Sequence, residues 1–348
     1  MKTLLVTGGA GFLGYHLCNK LSTKFDKIIA LDIDDFIKEE YPANVEFVHA
    51  DIVNKELLEK IFNETKPDLV VHGAAALPLY SKKRIWEVNF KGSRNVLELC
   101  LKYKIKRMVF ISSTAVYGVP EKHPLYEEDE LVGVGPYGET KIAAEKLCEE
   151  FRKKGLCVPI IRPKTFIGVG RMGVFQILYD WIESGKRTPV VGNGKNRYQL
   201  LEVSDLVDAI ELVLLRDIKL VNDTFNVGAK NFKTTYEDVN ALCKYSKSGA
   251  RVMKTPASFI KFSLRILEML KLSPLYKWVY GTADKDSFVS IDKISKRFNW
   301  EPKYSNQEAL IHSYQWYLDN ESSLSKESGI THRVAWKQGF LGIIKKIL

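Results

Sequence analysis

The 348-residue sequence has few cysteines, and their spacing would not hold a metal. The five thiols, at positions 18, 100, 148, 157 and 243, lie scattered through apolar segments and are odd in number. This excludes a zinc-finger or disulfide framework and predicts reduced thiols and no metal site. Uninterrupted apolar runs are short: nothing approaches the ~18 residues needed to cross a bilayer, so no membrane span is expected. Met1 leads straight into an apolar run, which is read as leaving no room for a signal peptide and points to a cytoplasmic protein. The body of the chain has no concentrated block of basic and aromatic residues, which argues against nucleic acid as a partner. Charge of one sign is not lacking: 52 Lys and Arg stand against 42 acids, a net +10 that favours acidic partners such as phosphorylated ligands. With 45% hydrophobic and 27% charged residues, the composition is that of a soluble globular enzyme large enough for one big domain or two fused ones.

What is present is concentrated first in residues 1–14, MKTLLVTGGAGFLG. Lys2 to Thr7 reads as a strand buried on both faces of a parallel sheet. The turn that follows holds Gly8, Gly9, Gly11 and Gly14, and an amphipathic helix then begins near Gly11 with Phe12 and Leu13. Strand, glycine turn and helix in this order hold a pyrophosphate: glycines let the backbone approach, and the helix N-terminus presents N–H donors and a positive dipole end. Ordinary turns also collect glycines, so the context matters. A second apolar run, Lys27 to Leu31, ends in Asp32, about 20 residues beyond the turn, where an acid accepts hydrogen bonds from an adenosine ribose. The pair of features predicts a dinucleotide site.

Strand-like runs then alternate with helical patterns to about residue 162, as in a doubly wound sheet. Val45 to Val48 runs toward Asp51 and Ile52, and Asn54 is placed to cap a helix reaching Asn63. Asp68 to His72 leads into Gly73-Ala74-Ala75-Ala76, small residues that would let a flat cofactor lie against the strand end. One long helix is expected from Lys82 to Tyr103, carrying Asn89, followed by a strand from Lys106 to Ser112. That strand runs into Ser113-Thr114-Ala115-Val116-Tyr117-Gly118. Pro136-Tyr137-Gly138-Glu139-Thr140-Lys141 opens another helix, with Tyr137 and Lys141 four apart on one face. A free tyrosine ionises at about 10. A neighbouring ammonium is expected to bring that toward neutrality, and Ser113 to hold a substrate oxygen beside the phenol. Together they would interconvert an alcohol and a carbonyl.

In this order TGGAGFLG, Asp32, Asp51-Ile52, HGAA, Asn89, SSTAVYG and YGETK resemble the extended short-chain dehydrogenase/reductase family, which includes nucleotide-sugar epimerases and dehydratases. The resemblance implies a Rossmann-type α/β fold with a doubly wound parallel sheet and a smaller C-terminal α/β substrate lobe. It implies Ser113, Tyr137 and Lys141 as catalytic residues. NAD would be held by Gly8, Gly11, Phe12, Leu13, Gly14, Asp32, Asp51, Ile52, Ala74, Ala75 and Lys141. Asn89, Thr114, Thr165 and Arg197 are the implied substrate contacts, and a homodimer is implied. Relatives that act as dehydratases place an acid just after the catalytic hydroxyl, where this chain has Thr114 and Ala115. The sequence departs from the epimerases in three places: Arg197 sits one position early, Gly281 to Ser290 contains no arginine, and Thr165 stands where the best-known epimerases have asparagine.

The chain therefore divides into an NAD-binding domain over 1–162 (with later segments able to return to its sheet), a substrate lobe over 163–325 and a basic amphipathic tail over 326–348. Ser258 to Lys271 reads as a partly buried helix covering the substrate, with membrane contact as the alternative. The tail carries four basic residues and no acid from Arg333 onward, and it could dock on the body or on anionic lipid. Two reactions remain open: epimerisation of a nucleotide-sugar by transient oxidation, or net redox on a keto-sugar or a sterol-like hydrophobic alcohol.

Overall fold

A computed structural model describes residues 2–170, 175–269 and 281–320. Its first half alternates β1 (Thr3–Thr7), α1 (Phe12–Leu21), β2 (Lys27–Asp32), β3 (Val45–His49), α2 (Lys55–Thr65), β4 (Leu69–His72), α3 (Lys82–Trp86), α4 (Ser93–Lys102), β5 (Arg107–Ile111), α5 (Gly135–Lys153) and β6 (Ile160–Pro163). The side chains of β1 explain why it is apolar throughout. Leu4 and Val6 enter one core with Ile28, Val71 and Val109, while Leu5 enters the opposite core with Ile29, Val70 and Met108. Period-two alternation thus fills two hydrophobic layers at once, each buried Leu or Ile contributing about 1.5–3 kcal/mol.

The second half supplies β7 (Thr165–Ile167), α6 (Phe175–Glu183), β8 (Arg187–Val191), β9 (Leu200–Glu202), α7 (Val203–Leu215), α8 (Ile218–Val221), β10 (Thr224–Val227), α9 (Thr235–Ser246), β11 (Arg251–Thr255), α10 (Ala257–Met269), α11 (Asp292–Phe298) and α12 (Asn306–Asn320). The main sheet has seven parallel strands in the order β10-β6-β5-β4-β1-β2-β3. This is a Rossmann-type doubly wound sheet, in which the strand order reverses between β1 and β4, so a crevice opens at their carboxyl ends. Its edge strand β10 comes from beyond residue 162. So do α7, through Leu206, Ile210 and Val213, and α11, through Ile294, all packed in the same core as Leu4 and Val6. Two parallel pairs, β8 with β11 and β7 with β9, form the smaller lobe, whose own core joins Tyr179, Leu242, Leu310 and Tyr314.

One local expectation needs correction. The helix expected across Lys82 to Tyr103 contains a π turn at Glu87–Gly92 between α3 and α4. Gly92 lies so close to Ile52 that a Cβ there would stand 2.6 Å from the Ile52 side chain. The helix for Ser258 to Lys271 forms as α10, with Leu264 buried, but Phe259, Phe262, Ile266 and Met269 face outward. Half of its apolar surface therefore covers nothing in the described chain. The 326–348 tail lies outside the described residues.

Candidate active site

The glycine turn between β1 and α1 is built by backbone contacts that side chains would prevent. Gly8 has φ +75°, and a Cβ on Gly14 would sit 2.1 Å from the Gly8 carbonyl oxygen. Gly11 is the N-cap of α1, with no side chain capping the helix and no acid in its first turn. Phe12 and Leu13 are buried in the core, so only their backbone can face the turn. Asp32, at the end of β2, accepts hydrogen bonds from Ala10 N at 2.9 Å and Ile33 N at 2.7 Å, which ties the turn to the next strand. Asp51 accepts from Val53 N at 2.9 Å and pairs with Arg84 at 2.8 Å, beside the buried Ile52. Ala74 N donates to Thr7 Oγ1 at 3.3 Å, bringing the Ala74-Ala75 stretch against Gly8. All of these residues line up along the carboxyl edge of the sheet.

Ser113 follows β5 and Tyr137 stands in the first turn of α5, with the Ser113 hydroxyl near enough to the phenol to favour its ionised form. Ser113 Oγ also caps the following turn by accepting from Ala115 N at 3.2 Å. Lys141 is one helical turn further along α5, 4% exposed, and its Nζ donates to Ile111 O at 2.8 Å. The expected lowering of the phenol by this ammonium is not what the structure shows. Burial pushes Tyr137 up to about 12, opposed by the nearby Ser113 hydroxyl, and burial pulls Lys141 down to about 8. The ammonium sits 6.0 Å from the centre of the Tyr137 ring and is fastened to a backbone carbonyl instead.

Beneath this pair lies a buried ionic network. Glu145 of α5 pairs with Arg162 of β6 at 2.6 Å and also accepts from the Ser112 hydroxyl. Arg162 donates to Tyr117 OH at 2.8 Å, and Tyr117 donates to Asn226 Oδ1 at 2.8 Å. The ladder locks β5, α5, β6 and β10 together behind Ser113. Asn89 is a second correction: it is 1% exposed, and its amide bonds Ala76 N at 2.7 Å, Ala76 O at 3.1 Å and Thr140 Oγ1 at 3.2 Å. With both side-chain polar atoms committed, it joins Ala76 to α5 and has no surface for substrate.

A small cavity opens at Thr114, in the turn after Ser113, lined in part by Lys164, Tyr198, Asp286 and Ser287. Thr165 reaches this wall indirectly, its hydroxyl 2.8 Å from Tyr198 OH. Arg197 is exposed, its guanidinium held between the rings of Phe232 and Phe288 at 4.9 and 4.6 Å from their centres. The sequence reading missed Lys164. It is 4% exposed, donates to Ser287 Oγ at 2.6 Å, and forms no ion pair among the described residues. Burial pulls its pKa down to about 7. No local signal could have found Lys164, because Arg162 stands two residues earlier in the same stretch.

Residues 4–228 match the family model described as the NAD dependent epimerase/dehydratase family. An uncharacterised protein of Sinorhizobium fredii, y4nG, is 33% identical over 99% of this chain and 86% of its own. A bifunctional UDP-glucose and UDP-xylose 4-epimerase of Pisum sativum is 28% identical over 92% of this chain and 96% of its own. Among solved structures, the UDP-glucose 4-epimerase of Thermotoga maritima with UDP-glucose superposes with TM-score 0.75 at 25% identity, covering 92% of this chain and 99% of that one. A dTDP-glucose 4,6-dehydratase of Bacillus anthracis in complex with NAD gives 0.74 at 26% identity, covering 92% and 98%.

Proposed function

Since this chain belongs to the NAD dependent epimerase/dehydratase family, we propose that it is a nucleotide-sugar epimerase working by transient oxidation of a sugar hydroxyl. The turn at Gly8, Gly11 and Gly14 suits the dinucleotide: an added Cβ would fill the cradle, and the first turn of α1 has no acid to repel a pyrophosphate. Asp32 would take the adenosine ribose, and Asp51, Ile52, Ala74 and Ala75 would flank the bound molecule. When bound, NAD supplies the hydride acceptor and donor that the oxidation and its reversal require.

The chain's own residues move the proton and hold the substrate. Tyr137 is the acid/base, its phenolic oxygen exchanging a proton with the sugar hydroxyl as the carbonyl forms and disappears. Ser113 holds the same sugar oxygen through its hydroxyl. Lys141 has one of its three N–H donors on Ile111, which leaves two for the nicotinamide ribose. Lys164 is the cavity's buried cation: an ammonium buried with no ion pair among the described residues is costly, and an anionic group of the substrate would relieve that cost. Thr114 and Thr165 line or brace the same wall.

The observation that carries this reading is the proximity of the Ser113 hydroxyl to the Tyr137 phenol at the end of β5, with Lys141 one turn further on, tied to Ile111, and no acid at positions 114 and 115. An acid there would serve elimination of water; its absence favours simple return of hydrogen to the sugar. The likeness to the UDP-glucose 4-epimerases of Pisum sativum and Thermotoga maritima supports the same reaction class. Purified protein is to be given UDP-, GDP- and TDP-sugars while absorbance at the NADH band is followed and the products are separated. Isomer formed without net absorbance change is the expected result. Stoichiometric production or consumption of NADH without isomer would instead make the protein a dehydrogenase or reductase.

A further inference from the structure

The end of β4 carries a buried imidazole that the proton-transfer chemistry does not use. His72 is 1% exposed and lies between two hydroxyl groups, with Nδ1 2.6 Å from Thr7 Oγ1 and Nε2 2.9 Å from Ser93 Oγ. Counting protons orients both bonds. A hydroxyl has one hydrogen to give, and Ser93 gives its own to Asn89 O at 2.7 Å, in the π turn. Ser93 Oγ must therefore accept from His72, which puts the imidazole proton on Nε2. Nδ1 is then bare and accepts the Thr7 hydroxyl hydrogen, while Thr7 Oγ1 accepts from Ala74 N at 3.3 Å. The Asn89 amide completes the circuit by bonding Ala76 N and Ala76 O. The result is a closed ring through Ala74, Thr7, His72, Ser93, Asn89 and Ala76, and it grips Ala74-Ala75-Ala76 at both ends. Burial, with Lys141 nearby, pulls the His72 pKa down to about 3, so the imidazole stays neutral and these bond directions persist at ordinary pH.

We propose that His72 is a positioning residue for the nicotinamide half of the dinucleotide. A doubly wound sheet lays the two halves of such a cofactor on either side of the crevice between β1 and β4. The glycine turn, Asp32 and Asp51 stand at the ends of β1, β2 and β3, which is the adenosine side. Ala74 and Ala75 follow β4 on the other side and are only half-buried, with Ala74 N 2.9 Å from where a Cβ on Gly8 would stand. The ring also reaches the acid/base. Asn89 donates to Thr140 Oγ1 at 3.2 Å, and Thr140 donates to Tyr137 O at 2.9 Å, in the turn of α5 that carries the phenol. One imidazole thus sets the strand end against which the nicotinamide lies and ties that strand end to Tyr137. The inference rests on NAD lying along the carboxyl edge of the sheet and not on the choice between epimerisation and net redox.

The test compares two ligands on the full chain: NADH, titrated by its fluorescence, and ADP, which spans only the adenosine and diphosphate, titrated by calorimetry. His72→Leu should weaken NADH about tenfold, the worth of one hydrogen bond, and leave ADP unchanged. His72→Asn puts an amide oxygen where Nδ1 stood, keeps the arm through Thr7 to Ala74, and should recover most of the loss. Leucine fills the space better than asparagine, so a role in packing alone demands the opposite order. Thr7→Val cuts the same arm from its other end and should give the leucine pattern even if His72→Leu does not fold. The proposal is overturned if NADH and ADP weaken alike, if asparagine is no better than leucine, or if Thr7→Val binds NADH as the parent does. Failure of the parent itself to bind NADH would overturn the placing of the cofactor, and the role of His72 with it.

Discussion

Lys141 Nζ donates to the carbonyl oxygen of Ile111 at 2.8 Å while standing 6.0 Å from the centre of the Tyr137 ring. The ammonium is therefore held by the end of β5 and faces the phenol from one step back. Ser113, whose hydroxyl favours the ionised phenol, is the nearer influence on Tyr137.

Removing the phenolic oxygen should separate binding from chemistry. Tyr137→Phe keeps the ring and its packing, so NAD titrated by fluorescence should bind as before while turnover falls by about 10² or more. Lys141→Met should weaken both, because it removes the Ile111 tether together with the donors that face the ribose. Equal loss of NAD affinity in the two variants would contradict this division.

The pH dependence of ligand binding should report Lys164. Its pKa lies at about 7 in the free protein, so the ammonium is present below that value and lost above it. An anion in the cavity favours the charged form and raises the pKa in the complex. UDP affinity should therefore be constant below pH 7 and fall about tenfold per unit above it, with uptake of a proton on binding. Calorimetry in buffers of different ionisation enthalpy measures that proton directly, and Lys164→Met should flatten the profile.

Asp32 should make the protein choose NAD over its 2′-phosphorylated form. The carboxylate would lie near the extra phosphate, and the residues that follow it, Ile33, Asp34 and Asp35, bring no compensating base. Competition titration should show at least about tenfold preference, reduced in Asp32→Ser. The serine variant should also melt lower, since Asp32 accepts from the backbone of Ala10 and Ile33.

Breaking the buried pair behind the site should be costly. Glu145 and Arg162 have side chains 2 and 5% exposed, and removing one partner leaves an uncompensated charge. Glu145→Ala should destabilise the fold by about 3–5 kcal/mol in urea denaturation. Replacing both residues with apolar ones of similar volume should restore much of that loss.

The parts of this molecule legible in its sequence are those set by neighbours along the chain. The strands could be read because each buries both faces, and the Gly8 turn because its glycines are consecutive with β1 and α1. The partnership of Ser113 with Tyr137 needed only a strand end followed by a helix of known spacing. What could not be read depends on contacts from afar. The π turn at Glu87–Gly92 is fitted to Ile52, and Asn89 is drawn inward by the backbone of Ala76. Lys164 has no local pattern to mark it, because its surroundings are Tyr198 and Ser287. Periodicity showed α10 to be amphipathic without showing that the body takes its Leu264 side.

The segment around Ser287 bridges Tyr198, and Val289 bridges Leu125, so the cavity's far wall is stitched from residues distant in the chain. On the ribosome, the glycine turn and Asp32 emerge within the first 32 residues and the Tyr137–Lys141 pair by residue 141. The edge strand β10 is complete only at Val227, and the wall closes only when Val289 has been made. A nascent chain thus holds the elements of a cofactor cradle long before it has a place for a sugar. Closing the loop from Leu125 to Val289 is the late entropic cost of assembling that place.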